Sequence, residues 1–315
     1  MTPREAGVGG RTIKLLGIQA GKGGRTPGAE RGPAELRRRG LVKRLESGGH
    51  HVEDLGDIPG VYETRYLIDR AQSLNYLANI VQVNRHTHAC VLGTRRKSPT
   101  AFLLCIGGDH SLAIGTLAGL SDACKRLGLV WIDAHADLNT PGSSPSGNIH
   151  GMSLAVACGH GHVDLRRIAE LDPMVREADV LLAGCRDLDP GERAAITRGK
   201  LWMRTTDDLR AGGAAILTDP IAELARRCDH IHLSFDIDVL EPVAVPGTGT
   251  PVPGGLSADE AITLLRALGR QRLIHSAEFV EYNARLDEHG KTADLTIALI
   301  EALLSPETPD PPATG

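Results

Sequence analysis

The sequence predicts an α/β protein, a single three-layer domain whose parallel sheet is flanked by helices on both faces. Three observations carry that expectation. Strand-like and helix-like patterns alternate along the chain, which is how βαβ units read. Three apolar runs stop abruptly at a polar tip, as strands do at the carboxyl edge of an open parallel sheet. No period recurs and no linker divides the chain, so residues 1–304 read as one domain. Residues 305–315 carry four prolines and read as a disordered tail.

The elements follow in order. Thr12–Ile18 and residues 51–55 are early strands. Residues 66–83 have helical spacing, with Leu67, Ala71, Leu74, Leu77 and Ile80 on one stripe. The run Ala101-Phe102-Leu103-Leu104-Cys105-Ile106 leads into Gly107-Gly108-Asp109-His110-Ser111, and a helix is expected over 112–126. Residues 127–132 form the second run and end in Asp133-Ala134-His135-Ala136-Asp137-Leu138-Asn139. A strand is expected over 178–183 and a helix over 216–227. Residues 230–235 form the third run and end in Asp236-Ile237-Asp238. Ser257 with Glu260 three residues on makes a capping box for a helix over 258–268. Residues 274–283 read as a strand with an acidic end, and 293–304 as a last helix.

The polar tips carry chemistry. In extended backbone, side chains two apart share a face, so Asp133, His135 and Asp137 are expected to converge from one strand end. Oxygen, nitrogen and oxygen in a row suit a hard-to-borderline divalent cation. Asp236 and Asp238 repeat the spacing. Four carboxylates would meet within a few ångströms, and residues 107–111, 133–139 and 234–242 contain no Lys or Arg to balance them. Such a cluster is costly unless compensated. Two divalent cations cancel four carboxylates, with His110 and His135 as neutral ligands. A turn or N-cap explains one such Asp, but not six ligand-type residues at three strand ends. No Cys falls among them, which argues against thiolate-bound zinc or an iron–sulfur cluster.

These three segments resemble the metal signatures of the ureohydrolase superfamily, and within it the arginases, in family order from about Ile13 to about Leu304. The resemblance implies an arginase/deacetylase-like fold and two manganese ions per chain. It implies that His110 binds the first ion and His135 the second, that Asp133 and Asp236 bridge them, that Asp137 completes the first site and Asp238 the second. It further implies hydrolysis of L-arginine to L-ornithine and urea by a hydroxide bridging the two ions. Asp137 would orient that hydroxide, Glu281 would meet the substrate guanidinium, with Glu278 as the competing choice, and His150 would shuttle protons. Asn139 and Ser146 match the residues that hold the α-carboxylate. Asp189 and Glu192 resemble those on the α-ammonium side, and Thr250 matches a substrate-loop threonine. Agmatine or another guanidino compound is the alternative substrate, and a non-catalytic metal-stabilised relative the alternative class. Trimers or hexamers are the expected homo-oligomers.

Trp131 is bulkier than the aliphatic residue expected before Ile132, and Val239 and Glu241 are mild variants; none is expected to touch a ligand. His86-Thr87-His88 and His160-Gly161-His162 lack nearby acids and read as surface loops. His230 and His232 read as lining the core or a neighbouring helix. Arg37-Arg38-Arg39 and Arg95-Arg96-Lys97 read as solvated faces. Gly21-Lys22-Gly23-Gly24-Arg25 lacks phosphate-loop spacing; the family resemblance implies that it is a loop near the active-site mouth.

Composition fits a soluble enzyme. The chain has 315 residues, 41% hydrophobic and 23% charged, with a formal charge of −4. That balance gives no electrostatic case for nucleic acid or a membrane surface. No run of about 18 apolar residues is present, and Met1-Thr2-Pro3-Arg4-Glu5-Ala6-Gly7 has no apolar signal core. Six irregularly spaced Cys read as free thiols, several of them buried, in a reducing cytoplasm.

Overall fold

A computed structural model describes residues 10–61 and 74–305. Its strands are β1 (Thr12–Ile18), β2 (His51–Ile58), β3 (Phe102–Gly107), β4 (Leu127–Ile132), β5 (Val180–Cys185), β6 (Trp202–Thr205), β7 (His230–Asp236) and β8 (Ser276–Val280). They form one sheet in the order β2-β1-β3-β8-β7-β4-β5-β6, and every pairing is parallel. This order matters for function. β3 and β4 are consecutive in the chain, yet β8 and β7 lie between them, so the three polar tips and the acidic end of β8 become neighbours. Register aligns them: Ile132 pairs with Phe235, and Phe235 with Phe279.

The central strands are buried on both faces, as parallel strands under two helical layers must be. Along β4, Val130 and Ile132 join one apolar cluster while Leu129 and Trp131 join the other. The period of two thus sorts each strand between the two cores. The helix Ala258–Arg270 closes one face through Ala261, Leu264, Leu265 and Leu268. Its N-terminus is held reciprocally, Ser257 N donating to Glu260 Oε2 (2.7 Å) and Glu260 N to Ser257 Oγ (3.2 Å).

Several expectations are corrected. Residues 66–73 of the expected helix lie outside the described residues, as do residues 306–315 of the expected tail. The described helix is Leu77–Lys97, and it absorbs His86, Thr87 and His88, which read as a loop. Its buried stripe continues through Asn84 and Thr87, polar residues satisfied within the fold. Asn84 Nδ2 donates to Ile80 O, its Oδ1 accepts from Gly115 N, and Thr87 Oγ1 donates to Val83 O. Polar letters on a buried face hid the period. His88 pairs with Asp122 at 2.8 Å, so an acid is nearby after all.

The helix expected over 112–126 is shorter, Ala113–Ser121; beyond it Asp229 accepts from Lys125 N and Arg126 N and turns the chain into β4. Strand β6 was not anticipated because its residues are only half-buried and form no apolar run. Arg37 is no solvated residue: it pairs with Asp54 (2.7 Å) and Asp57 (2.5 Å) across the β1–β2 edge. Within the second histidine pair, His162 is buried and caps the helix Val163–Arg166 by accepting from Asp164 N. All six cysteines are free, four of them buried. Among the described residues, no helix is long and apolar enough to cross a membrane.

Candidate metal centre

Each polar tip reaches the centre by its own backbone route. Asp236 is the last residue of β7, and its Oδ1 accepts from Asp238 N (2.8 Å), curling the next turn so that Asp238 follows it inward. Asp133 follows β4, and its Oδ1 accepts from His135 N (2.7 Å). The expected sharing of a strand face by Asp133, His135 and Asp137 is therefore wrong in mechanism. β4 ends at Ile132, and Asp137 is brought inward by a left-handed backbone, φ +50°. Glu281, past β8, uses the same device at φ +64°. Non-glycine residues held there cost of order 1–3 kcal/mol and cluster at functional sites.

His110 enters from the turn after β3, where Gly108 lies so close to Ala20 that a Cβ would stand 1.6 Å from its carbonyl oxygen. His110 Nε2 is 2.8 Å from Ser234 Oγ, and that hydroxyl donates to Glu278 Oε1 (2.8 Å). Ser234 has one proton and gives it to the carboxylate, so Nε2 is the donor toward Ser234. In the neutral ring Nδ1 is then a bare lone pair. Yet Nδ1 faces carboxylate oxygens of Asp133 (3.1 Å), Asp137 (3.1 Å) and Asp236 (3.2 Å) and is buried without a hydrogen-bond partner. A lone pair surrounded by anions is stable only around a cation, which is the observation that fits a metal here.

A second group repeats this. His135 Nδ1 lies 3.0 Å from Asp238 Oδ2 and 3.4 Å from Asp133 Oδ1. Ligand atoms of His110, Asp133 and Asp236 lie within 4.8 Å of one another, and so do those of Asp133, His135 and Asp238. Asp133 belongs to both groups. Asp236 falls in the first group, and its Oδ1 also accepts from Asp238 N, next to the second.

The electrostatics agree. Burial, then the Asp133 charge, pushes Asp137 up to about 6. Burial, then Asp238 and Asp133, pushes Asp236 well above the carboxylate range. Burial pulls His110 down, but Asp133, Asp137 and Asp236 outweigh it and raise it well above neutrality. With protons as the only cations, the cluster keeps protons it would otherwise release. The ion-pair partners of these four aspartates are His110 and His135, with no described Lys or Arg among them.

Trp131, expected to touch no ligand, stacks on the His110 ring (centroids 4.0 Å, 7° between planes) and donates Nε1–H to Asp133 Oδ2 (3.2 Å). Ser234 and Glu278 also escaped notice as support for the site. Glu278 does not compete with Glu281, since it lies inside the sheet opposite Ser234. The signal was present: Ser234 is two residues before Asp236 on the same strand face.

His110, His135, Asp137, Asn139, Ser146, His150, Asp189, Glu192, Asp236 and Thr250 line one cavity of about 160 Å³, together with Ser144 and Asn148, which the sequence reading missed. Asp133, Asp238 and Glu281 are buried outside that lining. His150 Nδ1 is 3.0 Å from Glu281 Oε1, which also accepts from His110 N (2.8 Å). Burial pulls His150 down, but Glu281 and then Asp137 and Asp109 outweigh it and lift the imidazole to about 9. The glycine-rich loop does sit at the mouth: Gly23 N donates to Asp109 Oδ2 (2.8 Å), and a Cβ on Gly24 would stand 3.4 Å from the His150 ring.

Other residues have double duties. Asn139 Nδ2 donates to Asp189 Oδ2 (2.8 Å). Buried Glu192 caps the helix Pro190–Arg198, accepting from Asp189 N (2.9 Å), and from Leu138 N (3.1 Å). Burial lifts its carboxyl to about 7. Thr250 Oγ1 donates to Asp238 Oδ2 (2.8 Å), so it buttresses a candidate ligand as well as lining the cavity. Ser146 Oγ accepts from Asn148 N (3.2 Å).

Fold and site together define the class: a three-layer α/β hydrolase with a carboxylate- and histidine-lined cation centre at the carboxyl edge of its sheet. The Arginase family profile matches residues 11–305. The chain is 40% identical to the arginase of Bacillus caldovelox over 295 residues, covering 93% of this chain and 98% of that one. The structure of B. caldovelox arginase superposes with a TM-score of 0.88 at 39% identity, covering 95% of this chain and 100% of that one. Entamoeba histolytica arginase, solved in complex with L-ornithine, superposes with a TM-score of 0.84 at 32% identity, covering 93% of this chain and 98% of that one. The chain belongs to the arginase family, whose members are metal-dependent hydrolases.

Proposed function

We propose that this chain hydrolyses L-arginine to L-ornithine and urea with two manganese ions, the first held by His110, Asp133, Asp137 and Asp236 and the second by Asp133, His135, Asp236 and Asp238. The observation that carries this reading is that Asp133 is common to both ligand groups. Shared carboxylates are how a protein holds two divalent cations a few ångströms apart. When bound, such a pair lowers the pKa of water and supplies a nucleophile at neutral pH.

The remaining work falls to the chain. A guanidinium is cationic and resonance-stabilised, so it needs an anion and an orientation. Glu281, buried and pulled below its usual range by His150 and His110 against the effect of burial, provides a fixed negative charge. His150, protonated at neutral pH beside it, is placed to give a proton to the leaving amine and recover it from solvent. Asp137 lines the cavity and would orient the attacking oxygen. Asn139 and Ser146 would meet the α-carboxylate. Asp189 and Glu192 would meet the α-ammonium, and Thr250 would act through Asp238.

The closest alternative is the same chemistry on agmatine, which lacks the carboxylate that Asn139 and Ser146 would hold. The relatives named arginase and the ornithine complex of the Entamoeba enzyme favour arginine. A single domain ending at Leu304, a cytoplasmic location consistent with six free thiols, and a homotrimer or hexamer complete the proposal. A urea-release assay with manganese decides the reaction: arginine is expected to turn over and agmatine not. Release from agmatine alone would overturn the substrate, and release from neither the reaction.

A further inference from the structure

A second cavity, of about 520 Å³, opens at the opposite edge of the sheet, where β1, β3 and β8 begin. Three arginines line it, Arg11, Arg95 and Arg272, with Phe102 and His275. Among the described residues no carboxylate lines it. The catalytic tips lie at the far ends of the same strands. Six residues of β3 at ~3.3 Å each put the two sites about 20 Å apart, so this is no extension of the substrate pocket.

Among the described residues, Arg11 and Arg95 are held in place by carbonyls and not by acids. Arg95 Nη1 donates to Ala101 O (2.8 Å) and Nη2 to Pro99 O (2.5 Å). Arg11 Nη1 donates to Ile274 O (3.3 Å), its guanidinium lies over the Phe102 ring at 5.1 Å, and its buried Nε has no partner. Arg186 is likewise held by backbone carbonyls, among them Asp238 O and Val252 O, but several other arginines meet acids. Arg37 meets Asp54 and Asp57, Arg126 and Arg227 meet Asp179, and Arg44 meets Glu301.

The strain of the arrangement is visible in its neighbours. Burial and then Arg272 pull Arg11 down to about 10. Burial, then Arg95 and Arg11, lowers His275. Burial, then Arg11 and Arg272, lowers His50. The acid facing His275 is Asp229, whose carboxylate is spent on Lys125 N and Arg126 N. Half-buried guanidinium groups without acid partners are costly, and their forked donors match planar or tetrahedral oxyanions.

We propose that this cavity is a binding site for a small polyvalent oxyanion, in which the guanidinium groups of Arg11 and Arg95 clamp a phosphate-type or dicarboxylate group. The anion supplies the countercharge that no described acid gives Arg11 or Arg95. Its two sources are a phosphorylated small molecule and a dicarboxylic acid.

The test is isothermal titration of the full-length, manganese-loaded protein with sodium sulfate, as the tetrahedral dianion, and separately with sodium succinate, at ionic strength held constant with sodium chloride. One saturable site per chain is expected for at least one of them. Tighter sulfate binding identifies a phosphate-type ligand, and tighter succinate binding a dicarboxylate. Arg11→Gln and Arg95→Gln are each expected to weaken binding at least tenfold, and Arg95→Lys less than Arg95→Gln. Exposed Arg226→Gln is expected to leave it unchanged. Thermal unfolding of each variant establishes that it is folded, and either glutamine variant alone suffices. The proposal is overturned if neither anion saturates, if a folded glutamine variant binds as tightly as the parent chain, or if Arg226→Gln weakens binding equally.

Discussion

Replacing Ser234 by Ala tests the support beneath the first ligand group. The Ser234 hydroxyl lies 2.8 Å from both His110 Nε2 and Glu278 Oε1, and all three residues are buried. Alanine leaves the His110 N–H unpartnered and takes a hydrogen bond from Glu278 Oε1, which keeps the longer contact to His232 Nε2 (3.6 Å), in a place water does not reach. Each buried orphan costs about 1–3 kcal/mol, with charged groups at the upper end. Glu278 Oε2 already lacks a partner, so the carboxylate has little room to compensate, and the total is about 4 kcal/mol. The substitution also frees the His110 ring to turn, and loss of such an outer partner typically lowers metal affinity 10–100-fold. Urea denaturation of the metal-free protein measures the first effect, and manganese titration of the folded variant the second. A destabilisation below about 1 kcal/mol with unchanged manganese affinity would refute the relay from Glu278 through Ser234 to His110.

Two further predictions follow from neighbouring geometry. Trp131→Leu loses the stack on His110, the hydrogen bond to Asp133 and core volume, and should cost about 3–4 kcal/mol; Trp131→Phe keeps a ring on His110 and should cost about half. Equal losses in denaturation would mean that the stack contributes nothing. Asp179, buried between Arg126 and Arg227 with contacts of 2.8 Å, is raised by burial but held below the usual carboxylate range by the two arginines. Its folded pKa is therefore depressed, so its stabilisation is present above the unfolded value of about 3.9 and fades as pH falls through the folded one. Asp179→Asn should cost about 2 kcal/mol at pH 7, screening by the half-exposed arginines included. The gap from the parent chain should be flat above about pH 5 and should narrow below it. A gap that widens in acid would contradict the ion pair.

Much of the site was legible because its ligands are local in sequence. Asp133, His135 and Asp137 fall within five residues, Asp236 and Asp238 within three, and each set follows an apolar run that can only be a buried strand. What misled was polarity where the fold supplies partners. Thr87 and Asn84 interrupt a helical stripe in letters, yet they bury by bonding to helix carbonyls and to Gly115 N. Arg37 looked solvated until Asp54 and Asp57, on a strand distant in sequence, came alongside.

By itself the sequence determined which residues can ligate, because side-chain chemistry and spacing two apart travel with the chain. It also determined the alternation that builds a parallel sheet. Only the tertiary structure decided that β8 and β7 insert between β3 and β4, bringing Glu278, Ser234 and Glu281 to the histidine and aspartate tips. It alone decided that Asp133 is shared while Asp236 turns one oxygen to Asp238 N, and that Arg11, Arg95 and Arg272 line one cavity at the other edge in which no described carboxylate takes part. Strand order and side-chain orientation are long-range outcomes, set by which faces must be buried together, and no local pattern encodes them.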